Sequence, residues 1–332
     1  MVAVPPWNFK RWQAAPWLNG VHISLEPFLS VTSIIITFQP ELSSIEPLLF
    51  ACQLNGNSVI VVDNGSENAK EIIKICRSFE RVKLICLDDN LGIAEAQNIG
   101  IKHLPIDDDE LVVFFDQDSS IGDDYLKQVE ESYQKLERDY GRSLVLGPRF
   151  YNRVSKFEYP VIRLNKLGLR QKLLPSQYSH PTEASCIISS GMTVKKDTIN
   201  RIGLMDESLF IDYVDTEWCL RARKLGYPIL VDPKLVMEHE IGTNNFKFFR
   251  WRVPVHSATR RYYRIRNSFF LLKYSHVPKL TSLREIVFSI MHQVFLVIFT
   301  EEKMGHFKSL LRGMRDGLFN RCSKPRQSNN QT

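Results

Sequence analysis

The sequence predicts an α/β protein with a mixed, mostly parallel sheet flanked by helices and a C-terminal helical subdomain. Between residues 31 and 115, four apolar runs rich in Val and Ile alternate with stretches of about a dozen residues that suit helices, a pattern typical of βαβ units. From about residue 248 the sequence is helical and basic. The 332 residues, 44% hydrophobic and 24% charged, suffice for one large domain with an appendage or for two ordinary domains.

The first half is predicted as strands at 31–38, 58–63, 81–88 and 111–115, with helices at 42–54, 67–79 and 93–103 between them. Ligands of parallel sheets bind beyond the carboxyl ends of the strands. Asp63, Asn90 and the pair Asp116 and Asp118 follow three of these strands. We therefore expect them to share one edge of the sheet.

The second half is less regular. Residues 150–184 show no clean period, and 227–242 indicate two short strands. The remaining predicted elements are a helix at 121–138, a strand at 143–148, a strand with a glycine turn at 186–191, a helix at about 214–225 capped by Gly226, and helices at 248–275, 281–301 and 305–319.

These elements divide the chain into four predicted regions. Residues 1–30 form an arm rich in Trp and Pro, either packed irregularly on the body or anchored at a membrane interface, a zone that Trp favours. The α/β domain occupies 31–245. A basic amphipathic helical region, a candidate for membrane association, occupies 246–320, and 321–332 are predicted to be a disordered tail.

Charge and cysteine content restrict the cellular setting. Residues 250–332 carry 16 Lys and Arg against four Asp and Glu, whereas residues 1–249 carry 27 against 33. A basic tail suggests anionic lipid, phosphate or nucleic acid as a neighbour. The six cysteines form no CxxC pair, which indicates structural thiols in a reducing compartment. The N-terminus has no continuous apolar core, so no secretory signal is expected.

The most apolar stretch of the tail is 286–299. It is shorter than the roughly 18–20 uninterrupted apolar residues of a spanning helix, and it contains His292 and Gln293. This composition favours a helix that lies in a membrane interface or in a core over one that crosses a bilayer.

Asp116 and Asp118 directly follow the fourth predicted strand. Two hard oxygen ligands on one side of a turn suit Mg²⁺ or Mn²⁺, with open positions left for phosphate oxygens. The competing interpretation is a loop whose carboxylates are merely solvated. The letters DQDSS also resemble the nucleophile loop of haloacid-dehalogenase-like phosphatases, but that family carries the loop after its first strand, and three strands precede it here.

Three further residues have a structural and a functional interpretation. Asp63 either begins an Asx-turn into Asn64 and Gly65 or accepts a hydrogen bond from the imide N–H of a pyrimidine base. His239 is either a histidine at a strand end whose hydrogen bonds are satisfied within the protein or a third metal ligand. Asp215, in the first turn of its helix, is either an N-terminal cap or a general base.

Taken together, the sequence resembles the glycosyltransferase family 2 enzymes of the GT-A fold, most closely their bacterial rhamnosyltransferase branch. The likeness spans about residues 31–320 and rests on ordered blocks: TFQP (37–40), VVDNGS (61–66), NLGIAEAQNIGI (90–101), FFDQDS (114–119), SSGM (189–192), GLMDESLFIDYVDTEWCLRARKLGY (203–227), HEIG (239–242) and RRYYRIRNSFFLLKY (260–274). It implies a metal-dependent, inverting transfer of a sugar from a nucleotide diphosphate donor, within a nucleotide-sugar-binding catalytic domain at 31–245.

The resemblance also implies roles for individual residues. Asp215 would be the catalytic base and Glu217 the second acidic residue of its motif, while Asp116, Asp118 and His239 would bind the metal, Mg²⁺ or Mn²⁺. The donor would contact Thr37, Phe38, Asp63, Asn90, Gly92, Asn98, Asp116 and Gln117. TFQP departs from the more usual Thr-Tyr-Asn, and residues 1–30 have no counterpart in the family.

The basic tail fits an acceptor that is linked to lipid. We therefore expect a cytoplasmic protein, peripheral on the inner face of the bacterial cell membrane. It would transfer L-rhamnose from dTDP-L-rhamnose to an undecaprenyl-diphosphate-linked glycan in O-antigen-type polysaccharide synthesis. Alternatives are a UDP-sugar donor and a helical subdomain whose basic face binds the donor phosphates or a partner chain.

Two other classes of function compete with this interpretation. A phosphatase or nucleotidyltransferase would use the same aspartates for phosphoryl chemistry, with Asp116 as a nucleophile or with a phosphate loop near the first strand, and no such loop is visible in the sequence. A nucleic-acid binder would use the basic tail, including the Tyr and Arg residues of 260–266. The acidic body and the ordered aspartates argue against it, so no nucleic-acid partner is expected.

Overall fold

The computed structural model describes residues 29–152, 156–238, 245–248, 251–254 and 256–322. Within these ranges the strands are β1 (Val31–Thr37), β2 (Ser58–Asp63), β3 (Val82–Cys86), β4 (Leu111–Asp116), β5 (Val145–Asn152), β6 (Phe157–Glu158), β7 (Val161–Leu164), β8 (Arg170–Leu173), β9 (Thr182–Glu183), β10 (Thr193–Lys195), β11 (Ile229–Glu238), β12 (Asn245–Phe248) and β13 (Trp251–Pro254). The α-helices are α1 (Leu42–Gln53), α2 (Ala69–Cys76), α3 (Ile93–Lys102), α4 (Tyr125–Tyr140), α5 (Lys196–Ile202), α6 (Val214–Lys224), α7 (Ala258–Phe270), α8 (Lys279–Phe299) and α9 (Lys303–Leu318).

The first four strands form the parallel half of a large sheet, in the order β3-β2-β1-β4. Every residue of β1 is buried. Ile34 belongs to the apolar cluster that includes residues of α3, α5 and α6, and Ile35 to the cluster with α1, α2 and α4. The register places Thr37 opposite Asp63 and Ile36 opposite Asp116. The strand ends therefore meet at one edge of the sheet, as the sequence predicts.

The sheet continues past β4 through β10, β5, β11 and β9. β10 is antiparallel to both of its neighbours, β5 and β11 are parallel to each other, and β9 is antiparallel to β11. The fold class is thus confirmed as a mixed, mostly parallel sheet flanked by helices. Residues 150–184, which show no period in the sequence, form short strands at the edge of the molecule's central sheet and in the separate pair β7–β8.

The strand predicted at 186–191 is wrong. Cys186 makes an isolated bridge to Ile162, and β10 begins only at Thr193. The carbonyl of Ser189 accepts a hydrogen bond from the N–H of Met192 at 2.9 Å, and Gly191 has a φ of +71°. The chain therefore makes the predicted glycine turn at Gly191, but the residues before the turn do not form a strand.

The two short strands predicted in 227–242 are instead one strand, β11. Its register shifts between Asp232 and Val236. The intervening Pro233 has no N–H to donate, and such residues occur in strands at bulges. Asp232 stabilises the bulge by accepting a hydrogen bond from the N–H of Lys234 at 2.9 Å.

The helix predicted from residue 248 begins ten residues later. β12 and β13 form an antiparallel hairpin in its place. Pro254 is incompatible with a helix interior, and Ser257 caps α7 by accepting a hydrogen bond from the N–H of Arg260 at 3.3 Å. The other two C-terminal helices, α8 and α9, lie within two residues of their predicted positions.

The C-terminal helices bury polar side chains and expose large apolar ones, the reverse of the usual arrangement in a soluble protein. On α8 the buried side chains are mainly polar, and they include Glu285, Ser289 and Gln293. Gln293 accepts a hydrogen bond from Nε of Arg261 at 2.8 Å and donates to the carbonyl of His306 at 2.7 Å. The large apolar side chains that α8 and α9 expose are Leu280, Leu283, Val287, Phe288, Met291, Val294, Ile298, Phe299, Met304, Phe307, Leu311 and Leu318. We call this surface the outer apolar face.

Helix α8 is, among the described residues, the one helix long and apolar enough to cross a membrane by length and composition. The side of α8 that faces the protein interior nevertheless makes polar contacts with α7. Glycines let the helices approach closely, because a Cβ atom at Gly313 of α9 would lie 2.9 Å from Cβ of Ile265 on α7. The helical region is therefore packed as a unit against the α/β domain.

Candidate active site

A cavity of about 990 Å³ lies at the carboxyl edge of the parallel strands. Its acidic wall comes from the end of β4 and the start of α6, and includes Asp116, Asp118 and Asp215. A second, basic part of the lining comes from β8, α7 and α8 and includes Arg170 and Arg264. The cavity thus lies between the α/β domain and the C-terminal helices.

The acidic wall concentrates negative charge. Burial, together with the neighbouring carboxylates of Asp118 and Asp215, raises the pKa of Asp116 to about 7, whereas Arg260 lowers it. Burial also raises the pKa of Asp215, although the N–H of Thr216 opposes this by donating to its Oδ1 at 2.7 Å. Carboxylates in this arrangement are poised for a cation or a proton.

Thr37 and Asp63, the residues at the ends of β1 and β2 that are predicted to bind the donor sugar nucleotide, belong to a buried hydrogen-bonded cluster. Oδ1 of Asp63 accepts hydrogen bonds from the hydroxyls of Thr37 at 2.9 Å and Ser66 at 2.6 Å, and its Oδ2 accepts from the N–H of Ser66 at 3.1 Å. Asp63 is completely buried, and the cavity is lined instead by its neighbour Asn64. The contact between Asp63 and a pyrimidine base stays a prediction.

Phe38 and Gln117 line the cavity, and the backbone N–H of Phe38 donates to Oε1 of Gln117 at 2.7 Å. Asn90 and Gly92 also line it. Oδ1 of Asn90 accepts hydrogen bonds from the N–H of Gly92 at 2.9 Å and from Nδ2 of Asn64 at 3.1 Å. Four of the predicted donor residues are therefore brought to one side of the cavity.

Gly92 has a φ of +90°, and a Cβ atom added there would lie 2.6 Å from the ring of Phe210. The carbonyl of Phe210 also accepts a hydrogen bond from the N–H of Ile93 at 2.8 Å. A side chain at position 92 would therefore force the two loops apart. Glycine is required here because the loop after β3 packs directly on the loop before α6.

Four of the predicted site residues do not line the cavity: Thr37 and Asp63, described above, and Asn98 and Glu217. Asn98 is buried in α3, where it donates to the carbonyl of Met205 and to Oε1 of Glu207, both at 2.9 Å. Glu217 is buried on α6 and pairs with Arg221 through both carboxylate oxygens, at 3.0 and 2.9 Å. In this structure Asn98 and Glu217 therefore support the scaffold, and only Asp215 of the acidic pair on α6 reaches the cavity.

The loop before α6 has unusual backbone geometry. Phe210, Asp212 and Tyr213 have φ values of +62°, +63° and +65°. For residues other than glycine, a positive φ of this size costs about 1–3 kcal/mol each. Such a conformation persists only where surrounding contacts impose it. Because Asp215 follows two residues after Tyr213, this loop determines where the carboxylate lies.

The C-terminal helices hold this loop. On α7, Nδ2 of Asn267 donates to the carbonyls of Leu209, Ile211 and Asp212 at 2.7, 2.8 and 3.2 Å. The hydroxyl of Tyr213 donates to Oε2 of Glu285 on α8 at 3.1 Å. We call this set of contacts the loop clamp.

Two arginines complete the loop clamp. The Asp212 carboxylate lies 3.4 Å from Arg260 and 3.3 Å from Arg264. Burial alone would raise the pKa of Asp212, but Arg264 and Arg260 lower it below its usual value. The sequence patterns identified these arginines only as part of a basic segment and did not predict that they hold this loop. The signal that could have found them is their i,i+4 spacing, which places both on one face of α7.

His239, the predicted third metal ligand, lies outside the described residues. Among the residues that the structure does describe, no group of three or more His, Cys, Asp or Glu side chains could hold a metal ion. Asp116 and Asp118 nevertheless present two carboxylates to the cavity, and the raised pKa of Asp116 shows that its negative charge lacks full compensation. This chemistry fits a divalent cation bound by these two residues.

Comparison with known proteins identifies the family. Residues 33–193 match the profile of "Glycosyl transferase family 2". The chain is 38% identical over 290 residues to the dTDP-rhamnosyl transferase RfbF of Shigella flexneri, across 87% of this chain and 95% of that protein. The chain belongs to glycosyltransferase family 2. The family 2 resemblance predicted from the ordered motifs is thereby confirmed, and the chain is a glycosyltransferase.

A more distant relative of this family 2 enzyme is the low-salt glycan biosynthesis hexosyltransferase Agl10 of Haloferax volcanii, 23% identical over 80% of this chain and 84% of that protein. Among solved structures, residues 1–349 of S. aureus TarS align with a TM-score of 0.52 at 17% identity, covering 87% of this chain and 81% of that one. This likeness supports the GT-A-type fold with its C-terminal helices.

The raised pKa of Asp116 predicts a dependence of stability on pH. A carboxyl group whose pKa is about 7 in the folded protein and 3.8 in the unfolded chain opposes folding once it ionises. This destabilisation is absent below pH 4, grows between pH 4 and 7, and is complete above pH 7. In metal-free buffer, Asp116→Asn should therefore be more stable than wild type at pH 8 by roughly 2–4 kcal/mol at most, at 1.36 kcal/mol per pKa unit.

Urea denaturation at pH 4, 6 and 8 with a chelator would measure this difference. Asp123→Asn, which alters an exposed carboxylate in the next loop, serves as the control and should shift stability little at each pH. An equal effect of Asp116→Asn at pH 4 and pH 8 would contradict the raised pKa.

The loop clamp predicts a kinetic effect of Asn267→Leu. The substitution leaves three carbonyls of the loop without the Asn267 donor, and each buried unsatisfied group costs about 1–3 kcal/mol. We expect kcat to fall at least tenfold, because Asp215 is displaced, while the KM for the donor changes less than threefold.

Asn57→Leu is the matched control, since Asn57 makes one hydrogen bond, to the carbonyl of Leu54, in a turn before β2. Should Asn267→Leu not fold, Tyr213→Phe removes only the hydroxyl that donates to Glu285 and tests the same clamp. An unchanged kcat in a folded clamp variant would contradict the positioning role.

Proposed function

We propose that this enzyme transfers L-rhamnose from dTDP-L-rhamnose, with inversion, to a glycan carried on undecaprenyl diphosphate. The observation that carries the donor is the 38% identity to a dTDP-rhamnosyl transferase across 95% of that protein's length. The cavity supports it by presenting Asn64, Asn90 and Phe38 on one side, next to the acidic wall. O-antigen-type polysaccharide is the product class that this donor and acceptor imply.

Asp215 is the proposed general base. Its Oδ1 is held by the N–H of Thr216, and the carboxylate faces the cavity. The acceptor hydroxyl attacks the anomeric carbon from the side opposite the diphosphate, its proton moves to Asp215, and the diphosphate leaves with the electron pair of the broken C–O bond. A raised pKa suits this task, since a base works best when its pKa approaches the working pH.

Asp116 and Asp118 are the residues proposed to hold Mg²⁺ or Mn²⁺, with His239 as a further candidate ligand. When bound, the cation would neutralise negative charge on the departing diphosphate as a Lewis acid. Arg260, whose charge lowers the pKa of Asp116, is placed to act on the same phosphates.

The outer apolar face supports a peripheral position on the membrane. Phe288, Met291 and Ile298 are each more than half exposed, and an apolar surface of this extent on a soluble protein marks an interaction site. Lys308, Arg312 and Arg315 lie on α9 beside it, and anionic lipid attracts such residues by about 1 kcal/mol each. We propose that this face rests in the cytoplasmic leaflet, where the lipid-linked acceptor is found.

Thermal stabilisation by nucleotide sugars tests the donor. In the presence of Mn²⁺, dTDP-L-rhamnose should stabilise the protein, and a ligand at 100 times its dissociation constant contributes about 2.7 kcal/mol. The shift should disappear in Asp118→Asn and remain in Asp215→Asn, which should bind the donor without transferring sugar. Stabilisation by UDP-sugars alone would keep the enzyme class and reject the rhamnosyl donor.

Flotation with anionic vesicles tests the membrane contact. The triple variant Val287→Ser, Met291→Ser, Ile298→Ser should partition about 100-fold less, since each side chain contributes at least about 1 kcal/mol when it leaves water. A matched control changes three other exposed apolar residues, Phe50, Ile106 and Phe157, to serine. Unchanged flotation, or loss of a dimer in place of loss of flotation, would overturn the proposal.

A further inference from the structure

The part of the cavity lining that comes from β8, α7 and α8 carries more positive charge than its carboxylates compensate. Glu285 contacts three guanidinium groups: Arg170 at 3.1 Å, Arg284 at 2.7 Å and Arg264 at 3.9 Å. A single carboxylate cannot neutralise three arginines, and Arg264 already shares Asp212 with Arg260. A net positive charge therefore remains around Glu285.

These arginines are accessible to a ligand. The side chains of Arg170, Arg264 and Arg284 are 32%, 35% and 35% exposed, whereas Glu285 is only 10% exposed. Arg170, Arg264 and Glu285 line the cavity. Arginines in such a cluster present several N–H donors to an anion, and their geometry suits the oxygens of a phosphate group.

Apolar side chains lie beside the same cluster. Leu169 precedes Arg170 and Leu283 precedes Arg284, and both leucines are 52% exposed. The two segments are joined, because the hydroxyl of Thr281 donates to the carbonyl of Gly168 at 2.9 Å. Arg284 also lies over the ring of Phe288, 4.3 Å from its centroid. Cationic groups thus border the outer apolar face where it meets the cavity.

We propose that Arg170 and Arg284, with Arg264 behind them, form a binding site for the phosphate groups of a lipid-linked acceptor. An amphiphile with an anionic head and an apolar chain matches both parts of this surface, whereas the acidic wall would repel the same head unless a cation covered it. This inference rests on the proposed function, because it assigns the acceptor of that reaction to residues. The acceptor phosphates lie at the membrane side, and the sugar extends toward Asp215.

Binding of farnesyl diphosphate, a short polyprenyl diphosphate, tests this site directly. The protein is first saturated with dTDP and Mn²⁺, so that the donor side is filled, and titrations are followed by calorimetry. Farnesyl diphosphate should bind wild type at least tenfold more tightly than either farnesol or inorganic pyrophosphate. The double variant Arg170→Gln, Arg284→Gln should bind farnesyl diphosphate at least tenfold more weakly than wild type. Its affinity for dTDP should stay within threefold of wild type.

The control variant Arg142→Gln, Arg201→Gln removes two arginines that contact Gly226 and Asp197, and it should bind like wild type. Equal affinity for inorganic pyrophosphate would show a simple phosphate site, and displacement by glycerol 3-phosphate at equal concentration would show a lipid headgroup site. Either result overturns the proposal, as does unchanged affinity in the double variant.

The donor and acceptor proposals fail separately in this experiment. If dTDP with Mn²⁺ does not bind, the proposed function is overturned, whether or not farnesyl diphosphate binds. If dTDP binds and farnesyl diphosphate does not, the acceptor site is rejected and the proposed donor stands. Should the double variant be unfolded, the single variant Arg170→Gln gives the same decision, because Arg170 lies outside the loop clamp and contacts only Glu285 among its described ion pairs.

Discussion

The pairing of Asp212 with Arg260 and Arg264 is the interaction on which the rest of the site depends. Asp212 belongs to a loop whose backbone is costly to form, and both arginines belong to a helix outside the α/β domain. The ion pairs between Asp212 and the two arginines therefore let the packing of α7 offset the conformational free energy that the loop costs. For this reason the C-terminal helices are a structural part of the site, and the α/β domain alone would not fix Asp215.

The cavity joins two walls of opposite charge, and the chemistry of glycosyl transfer explains why both are present. A nucleotide sugar brings two phosphates, which an acidic wall cannot accept without a cation. Burial and acidic neighbours also raise the pKa of Asp116, so its ionised form would be stabilised by a nearby cation. A lipid-linked acceptor would bring a second set of phosphates, and the arginines around Glu285 offer them a place that needs no metal. Separate charge environments would keep the two anionic substrates from competing for one site.

Sequence patterns predicted the parts of the fold that periodicity controls. The parallel strands and their polar ends follow from apolar runs and from the rule that ligands bind at the carboxyl edge. Asp116, Asp118 and Asp215 line the cavity, and their roles stay predictions. The failures share a cause: the extended chain before the turn at Gly191, the bulge at Pro233 and the hairpin before α7 are not marked by any period in the sequence. Asn98 and Glu217 have residue types suited to binding, but burial commits their side chains to the scaffold.

Helix α8 shows most clearly what a pattern can and cannot reveal. Its apolar letters follow a helical period, which in an ordinary soluble domain indicates the side that faces the core. Here that side faces outward, because the inner side must supply Glu285 to Tyr213 and Gln293 to Arg261. The hydrophobic effect alone would rotate the helix by half a turn, and the buried hydrogen bonds prevent it. A helix held in this orientation leaves apolar surface exposed, so the same contacts that position the loop before α6 also create the surface proposed to meet the membrane.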